Sequence, residues 1–512
     1  MTAGKRIFLN TIASYGRSLI GVSCGIFSTR WVLAALGTED FGLYGLVGSF
    51  AMFLCFFSIQ FSQAISRYYA YSVGQAQVSE NRSGALHECR AWFSVALIVH
   101  LALPIAMCAI GWPIGEYAIS HGWLTIPAAR VGTCLWLWRF VCVSCFAMMA
   151  STPFHAMFTA KQEIVELTAY SLLSTLARTA IIYYMFAHPS DWLLRYGLAM
   201  LLVGLTTQVL YTIRALVRFP ECRFVPGVVR ELGRIKQLAN YAFWQAVGGL
   251  GYMAGHEIMG VILNKSYGPV FNASFGISQT VAFESGTLTG SLQAAFAPAI
   301  TTTCGAGDLV QMRRMALRVC KIGTLLTLLM AIPMMLEIEE LLVLWLKEVP
   351  PQAGLMCLST ILFIIIEKLS CGHVLAVNAN GNICRFQCLH GVLRLTAIPL
   401  ALVPIALKAP LAVTMLALPL SMGIMVVGDV ILSRRIVGLS VWCWVRSVLV
   451  PVGLIAGVTG AVGWLPQVWI EQSFGRMVLT TIVTSCVLGL CSWCFVLDEE
   501  EKNTLIRKIL KR

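Results

Sequence analysis

The chain has 512 residues, of which 58% are hydrophobic and only 12% are charged, and its formal net charge is +13. Together with a mean hydropathy of +0.78, this composition excludes an ordinary soluble domain and is typical of a helical protein that crosses a membrane many times. The 18 cysteines lie mostly inside apolar stretches without framework spacing, which indicates packing residues rather than disulfides.

Apolar runs separated by Gly, Pro and charged residues predict an all-α fold with about 14 transmembrane helices. The predicted spans are 7–36, 42–72, 88–112, 127–155, 163–187, 192–215, 234–263, 268–302, 314–336, 351–378, 386–407, 410–433, 444–465 and 474–497. The first follows the residues MTAGKR and has no small-residue cleavage site, so it is predicted to be a retained span.

The distribution of Lys and Arg predicts that both termini are cytoplasmic. In that orientation the cytoplasmic side carries about 24 of the 37 basic residues and the opposite side about six. The segment 337–348 is then expected to form an acidic outer loop. Because topology accounts for most of the basic excess, nucleic acid is not expected as a partner.

Four parts are predicted along the chain. They are an N-terminal six-helix lobe at 1–218, a basic cytoplasmic linker at 219–236, a C-terminal six-helix lobe at 237–436, and two further helices with a basic cytoplasmic tail at 437–512. A shift of 231 residues aligns Lys5 with Lys236 and Gly37 with Gly268. This weak internal sequence similarity supports two parallel repeats around a central cavity, which is a recurring architecture in transporters.

Arg17 lies within an apolar stretch of roughly 30 residues, where a guanidinium at the bilayer centre costs about 2.5–3.5 kcal/mol or more. Its neighbours at helical spacing are small or polar, namely Asn10, Ser14, Gly21, Gly25 and Ser28. Since intramembrane charges normally face water or a partner, this face is predicted to line a transport path.

Three other predicted spans carry comparable polar faces. Span two has Gln60, Gln63 and Arg67 at helical spacing, span seven has Gln245, Gly249, Tyr252, His256, Gly260 and Asn264 with Glu257 beside them, and span eight has Thr280, Glu284, Thr287 and Ser291. These faces are predicted to share the central cavity. Two alternatives stay open. The small residues could serve close helix packing, and His256 could be a core histidine whose hydrogen bonds are satisfied.

The remaining intramembrane charges are expected to have structural roles more often than functional ones, because buried charges pair with carboxylates or backbone carbonyls. They are Arg139, Arg178, Glu367, Lys368, Arg394 and Asp429. Since Glu367 and Lys368 are adjacent in a helix, they are expected to point in different directions and to need separate partners. Arg30 is closer to the outer interface, which its side chain can reach by snorkelling.

Three segments resemble a known family. They are STRWVLAALGTEDFGLYGLVGSF at 28–50, FSQAISRYYAYSVGQ at 61–75 and NKSYGPVFNASFGISQTVAFESGTLTGSLQAAFAPAIT at 264–301. They are similar to bacterial polysaccharide-biosynthesis flippases of the O-antigen type, in the multidrug, oligosaccharidyl-lipid and polysaccharide exporter superfamily. The resemblance implies two six-helix lobes and a flippase that turns a polyprenyl-pyrophosphate-linked oligosaccharide from the cytoplasmic to the outer leaflet of the inner membrane.

The chemistry of the polar residues fits such a substrate, because guanidinium groups bind pyrophosphate oxygens bidentately. The candidate anchors are Arg17, Arg30 and Arg67, with Arg139 in reserve. The candidate hydrogen-bonding residues for sugar hydroxyls are Gln60, Gln63, Gln245, Tyr252, Asn264 and Ser291. The expected partners are this lipid-linked substrate, membrane lipids and other polysaccharide-assembly proteins.

No phosphate-binding loop of the form GxxxxGK[ST] occurs, so any energy coupling is expected to come from protons, sodium ions or the membrane potential. His256, Glu257 and Glu284 are the coupling candidates. No catalytic residue, metal site or other cofactor is predicted, and the chain is not expected to be an enzyme.

Two alternatives remain open. A cation-coupled multidrug antiporter of the same superfamily would offer carboxylates and aromatic residues to an organic cation, whereas the first predicted lobe offers arginines. A membrane glycosyltransferase or polysaccharide polymerase would need a large outer loop or an acidic catalytic motif, and the predicted outer loops are at most about 15 residues.

Overall fold

The computed structural model describes residues 3–78, 82–121, 126–227, 232–267, 269–346 and 349–496. Its helices in the first half of the chain are α1 (Ala3–Val78), α2 (Arg82–Ser120), α3 (Val131–Ala160), α4 (Ile164–Ala187), α5 (Leu193–Arg218), α6 (Leu232–Tyr267) and α7 (Pro269–Gly305). The second half continues with α8 (Leu309–Leu336), α9 (Ile338–Leu346), α10 (Ala353–Lys368), α11 (Cys371–Asn380), α12 (Cys384–Arg394), α13 (Ala397–Ala406), α14 (Leu411–Met415), α15 (Ala417–Val437), α16 (Val441–Trp444), α17 (Val450–Trp469) and α18 (Phe474–Phe495).

Eight helical segments in the described part of the chain are long and apolar enough to cross a membrane, and a ninth is added if the bent pair α10 and α11 is counted as one. Three of the eight join shorter helices, namely α12 with α13, α14 with α15, and α16 with α17. No β-strand occurs among these residues. The all-α, multi-pass architecture is therefore confirmed, while the count of about 14 spans stays a prediction.

The first two predicted spans form one helix, α1, of 76 residues with a break at Gly37. Gly37 has φ of 77° and ψ of 170°, which lies outside the helical region. A residue without a Cβ adopts a positive φ at little steric cost, so the chain turns at this point and continues directly as a helix.

The chain separates into two compact units. The first contains residues 1–246 together with Thr301–Asp308, and the second contains Val247–Ile300 together with residues 309–512. In the first unit, Leu43, Val47, Leu137, Trp138 and Leu193 are members of a buried apolar cluster. In the second, a larger cluster joins residues of α8, α15, α17 and α18. The predicted division into two lobes, a linker and two additional helices stays a prediction.

Several predicted spans of the second unit are broken into shorter helices. The span 351–378 becomes α10 and α11, which meet at an angle of 46°. The span 386–407 becomes α12 and α13, and the span 410–433 becomes α14 and α15. Hydropathy averaged over a span does not show such breaks, because the residues between these helix pairs are themselves mostly apolar.

The expectation of an acidic loop at 337–348 is wrong for most of that segment. Residues Ile338–Leu346 form the short helix α9, and Glu337 is only 2% exposed. Its carboxylate accepts hydrogen bonds from Arg476 at 2.8 Å and from Thr480 at 2.8 Å. A buried acid at a helix junction is therefore part of the packing, since the charge is paired and hydrogen-bonded.

Candidate functional site

The polar face of α1 contributes first to packing within the first unit. The side chains of Asn10 and Ser14 are buried, and the Asn10 amide donates to the carbonyl oxygen of Gln162 at 2.9 Å. The hydroxyls of Ser28 and Thr179 lie 3.5 Å apart, which connects α1 to α4. Asn10 and Ser28 thus connect α1 to other segments of the first unit through hydrogen bonds, as expected where helices pack in lipid.

Arg17 differs from its neighbours on this face because its side chain is exposed. It lies near enough to His155 on α3 and Tyr211 on α5 to interact with both electrostatically. Gly16 and Gly21 have no atom near the position that a Cβ would take. The surface beside Arg17 is therefore open, and the guanidinium is accessible on the unit's surface.

Arg67 lies among three tyrosine rings. Its guanidinium carbon is 4.9 Å from the ring centre of Tyr68, 5.5 Å from that of Tyr71 and 5.2 Å from that of Tyr241. Tyr68 is in turn stacked on Trp92, with ring centres 4.0 Å apart. Rings at these distances stabilise a cation by about 0.5–2 kcal/mol each and fix the plane of the guanidinium.

Gln245 belongs to the same cluster, which we call the Arg67 cage (Arg67, Tyr68, Tyr71, Tyr241 and Gln245). The Gln245 amide donates to the Tyr241 hydroxyl at 3.1 Å. The structure thus brings two predicted site residues, Arg67 and Gln245, together through a tyrosine that the sequence reasoning missed. The signal was present, because Tyr68 and Tyr71 follow Arg67 on the same helix and Tyr241 precedes Gln245 by four positions.

Arg139 is paired with a carboxylate and packed against an aromatic ring. Its Nε donates to Glu116 on α2 at 2.8 Å, and its guanidinium carbon is 4.8 Å from the ring centre of Trp136. A guanidinium held in this way must leave a carboxylate before it can bind a substrate phosphate. The geometry therefore makes Arg139 less available as an anchor than the exposed Arg17.

The other predicted residues lie in varied surroundings. Gln60 and Ser291 are buried, whereas Gln63 is exposed. Glu284 is partly buried, and Thr287 donates to it at 3.4 Å. The side chains of Arg30, Tyr252, His256, Glu257 and Asn264 lie outside the described residues, so their assignments stay predictions.

Many carboxylates that the structure describes in the first unit are paired with basic side chains. Seven such acids take part, in the pairs Asp40–Arg130, Asp191–Arg130, Glu116–Arg139, Glu221–Lys161, Glu166–Arg214, Glu163–Arg218 and Glu88–Arg234. Among the side chains that the structure describes, no carboxylate pairs with Arg17. Among the described side chains, the accessible charge at Arg17 is therefore positive.

In the second unit, the expectation that Glu367 and Lys368 need separate partners is wrong. The Lys368 ammonium donates to Glu367 at 2.7 Å, and Arg394 donates to the other carboxylate oxygen at 3.3 Å. The two neighbours meet because α10 ends at Lys368 and the chain bends there. The expected structural pairing of Arg394 with a carboxylate is confirmed.

Asp429 is also paired, as expected for a buried charge. Its carboxylate accepts from the Ser370 hydroxyl at 2.9 Å and lies 3.4 Å from the His390 ring. These contacts join α12 and α15 to the bend between α10 and α11. Within the described ranges, no group of three or more His, Cys, Asp or Glu residues is arranged to hold a metal ion.

No protein-family model matches the chain, and no curated protein matches it. Solved structures do share its fold. A multidrug resistance MATE family transporter of the MOP superfamily, in an outward-facing conformation, is 13% identical with a TM-score of 0.70, over 85% of this chain and 96% of that one. The MATE transporter ClbM in complex with Rb+ is 15% identical with a TM-score of 0.67, over 86% of this chain and 96% of that one.

A further match is a MOP superfamily transporter from Pyrococcus furiosus, 12% identical with a TM-score of 0.68, over 85% of this chain and 96% of that one. That protein is described as having a binding pocket of reverse polarity that suggests a different function. These neighbours are transporters rather than enzymes. The present chain thus has the fold of MATE and other MOP-superfamily transporters and is a multi-pass membrane protein.

Proposed function

We propose that the chain is a transporter that moves a polyprenyl-pyrophosphate-linked oligosaccharide from the cytoplasmic to the outer leaflet of a bacterial inner membrane, for cell-surface polysaccharide biosynthesis. The fold shared with MOP-superfamily transporters supports transport. The sequence resemblance at 28–50, 61–75 and 264–301 supports the lipid-linked oligosaccharide as substrate. Transport by alternating access would turn the headgroup while the polyprenyl chain stays in lipid.

The observation that carries this proposal is the sign of the accessible charge in the first unit. Arg17 is exposed on an otherwise apolar helix, while seven acids of the unit are engaged by Lys or Arg. A pyrophosphate carries at least two negative charges, and guanidinium groups are well suited to its oxygens. The positive charge at this surface would repel an organic cation.

The residues divide into two proposed roles. Arg17 and Arg67 bind the pyrophosphate, with Arg30 as a further anchor and Arg139 available only if it leaves Glu116. Gln60, Gln63, Gln245, Tyr252, Asn264 and Ser291 bind sugar hydroxyls. In the Arg67 cage the tyrosine rings hold the guanidinium in one orientation, which reduces the entropy lost when the phosphate binds.

Coupling to protons, sodium ions or the membrane potential would use Glu284, His256 and Glu257, since acids and histidines that reach a cavity can titrate or bind a cation. Both termini are proposed to be cytoplasmic. Membrane lipids and other polysaccharide-assembly proteins are the proposed partners.

A cation-coupled multidrug antiporter is the competing proposal, because one structural neighbour is a multidrug resistance MATE family transporter. It requires an acid that is accessible to an organic cation. Glu284, the acid that the structure describes on α7, is partly buried and accepts a hydrogen bond from Thr287. It is therefore the acid to test for that role.

The deciding experiment places the purified full chain in vesicles that contain a fluorescent polyprenyl-pyrophosphate glycan and follows quenching of the outer-leaflet dye. We expect exchange above that of empty vesicles. Arg17→Ala and Arg67→Ala should each slow it by roughly ten- to a hundredfold, the scale of losing charge-assisted hydrogen bonds.

Arg195→Ala is the matched control, because Arg195 is exposed, packs near Trp192 and is not a proposed anchor. It removes the same charge from the same unit and should leave exchange unchanged. If wild-type protein gives no exchange but moves cationic dyes against a proton or sodium gradient, the flippase proposal fails and the antiporter is supported.

A further inference from the structure

The second unit contains a cavity of about 390 Å³ between α7, α10, α12, α13 and α15. This volume lies in the range of small-molecule sites. Phe283, which is 72% exposed, stands at its mouth, while Met422 and Met425 are 1% and 2% exposed at its buried end. The cavity therefore runs from an accessible face of the unit into its interior.

The cavity walls are mainly apolar and adaptable. Phe275, Phe283 and Phe363 provide aromatic faces, and Met422 and Met425 provide flexible thioethers. The hydroxyls of Thr360 and Ser421 also line the cavity, but they donate to backbone carbonyls within the unit. Phe and Met surfaces of this kind accept an irregular apolar chain and change shape to fit it.

One charged side chain, Arg394, lines the cavity. Its Nη2 is 3.3 Å from a Glu367 oxygen, while the Lys368 ammonium is 2.7 Å from the other oxygen of the same carboxylate. These three groups carry two positive charges and one negative charge. If an anion bound Arg394 in place of Glu367, the Glu367 carboxylate would still be paired with Lys368. No carboxylate would then be left buried without a cation.

We propose that this cavity binds an anionic amphiphile, with the apolar chain between the Phe and Met side chains and the anionic head group on Arg394. The net positive charge of the Glu367, Lys368 and Arg394 cluster complements the head group and opposes a cationic ligand. The site is made entirely of second-unit residues and does not depend on Arg17 or Arg67. A terpenoid phosphate and a straight-chain lipid phosphate share the required chemistry.

The test measures equilibrium binding of radiolabelled farnesyl phosphate and dodecyl phosphate to the purified full chain in maltoside detergent, with farnesol and dodecanol as neutral competitors. At least one phosphate should bind, and its alcohol should compete poorly. The better phosphate identifies whether the natural source is isoprenoid or straight-chain.

Two substitutions should act in opposite directions. Arg394→Gln removes the positive charge and should weaken binding roughly tenfold, whereas Glu367→Gln removes the competing carboxylate and should tighten it roughly threefold. Loss of folding cannot produce tighter binding, so the second variant keeps the test decisive if the first is unstable. Arg476→Gln disturbs another buried Arg–Glu pair of this unit, formed with Glu337, and should leave the affinity unchanged.

The proposal is overturned if neither phosphate binds, if the alcohols compete as well as the phosphates, or if Glu367→Gln weakens binding. A negative result in this binding test would not bear on the leaflet-exchange experiment, since that assay depends on first-unit arginines.

Discussion

The two units use intramembrane charge in different ways. In the first, Arg17 is exposed and the Arg67 cage surrounds a guanidinium with tyrosine rings. In the second, Glu337 and Asp429 are part of the packing, and their side chains are only 1% and 4% exposed. The contrast teaches that an intramembrane charge is not in itself evidence for a substrate site, because its burial and its partner decide between binding and packing.

The largest expected effect tests the buried side of this contrast. Glu337→Ala would leave Arg476, whose side chain is 13% exposed, without its carboxylate. Breaking such a pair on one side costs about 3–5 kcal/mol. We therefore expect a clear fall in the melting temperature of the purified protein, measured by thermal unfolding in detergent.

Asp191→Ala is the comparison from the first unit, because Asp191 also pairs with an arginine, Arg130, but is 68% exposed. Exposed pairs contribute about 0–1 kcal/mol. An equal loss of stability in the two variants would contradict the distinction between buried and exposed charge pairs.

A smaller effect concerns the glycines on helix faces. A Cβ at Gly372 would lie 1.9 Å from the carbonyl oxygen of Ala316, whereas one at Gly21 would meet nothing within 4 Å. Gly372→Ala should destabilise the protein by about 1–3 kcal/mol through overpacking. Gly21→Ala should be neutral or stabilising by up to about 1 kcal/mol, since Ala is the better helix former. Thermal unfolding of both variants measures the difference, and a destabilised Gly21→Ala would show that the face beside Arg17 is packed.

The sequence was sufficient for the fold class because hydropathy reports directly on membrane-spanning helices. The predicted gap between the first two spans, 37–41, also contains the break that the structure shows at Gly37. The sequence did not locate the bend between α10 and α11, since the residues there, Leu369 and Ser370, carry no strong breaking signal.

The candidate site was harder to predict because its contacts join distant positions. Arg67 was singled out by its polar neighbours at helical spacing, yet its contact with Tyr241 spans helices α1 and α6. The pair of Glu337 with Arg476 is separated by 139 positions. A single sequence gives the residue types that need partners, but only the packing of helices determines which partners meet.

The smallest expected effect resolves what Tyr241 does in the Arg67 cage. Tyr241→Phe keeps the ring beside Arg67 and removes the hydroxyl that accepts from Gln245, so it should slow leaflet exchange only severalfold, in line with about 0.5–1.5 kcal/mol for one hydrogen bond. Tyr241→Leu removes the ring as well and should slow exchange further, by the additional cation–π contribution of about 0.5–2 kcal/mol. The ordering matters more than either value, because it separates the two contacts of one side chain. If the Leu variant were no slower than the Phe variant, the aromatic ring would add nothing beyond the hydrogen bond to Gln245, and the role of the Tyr241 ring in orienting Arg67 would be refuted.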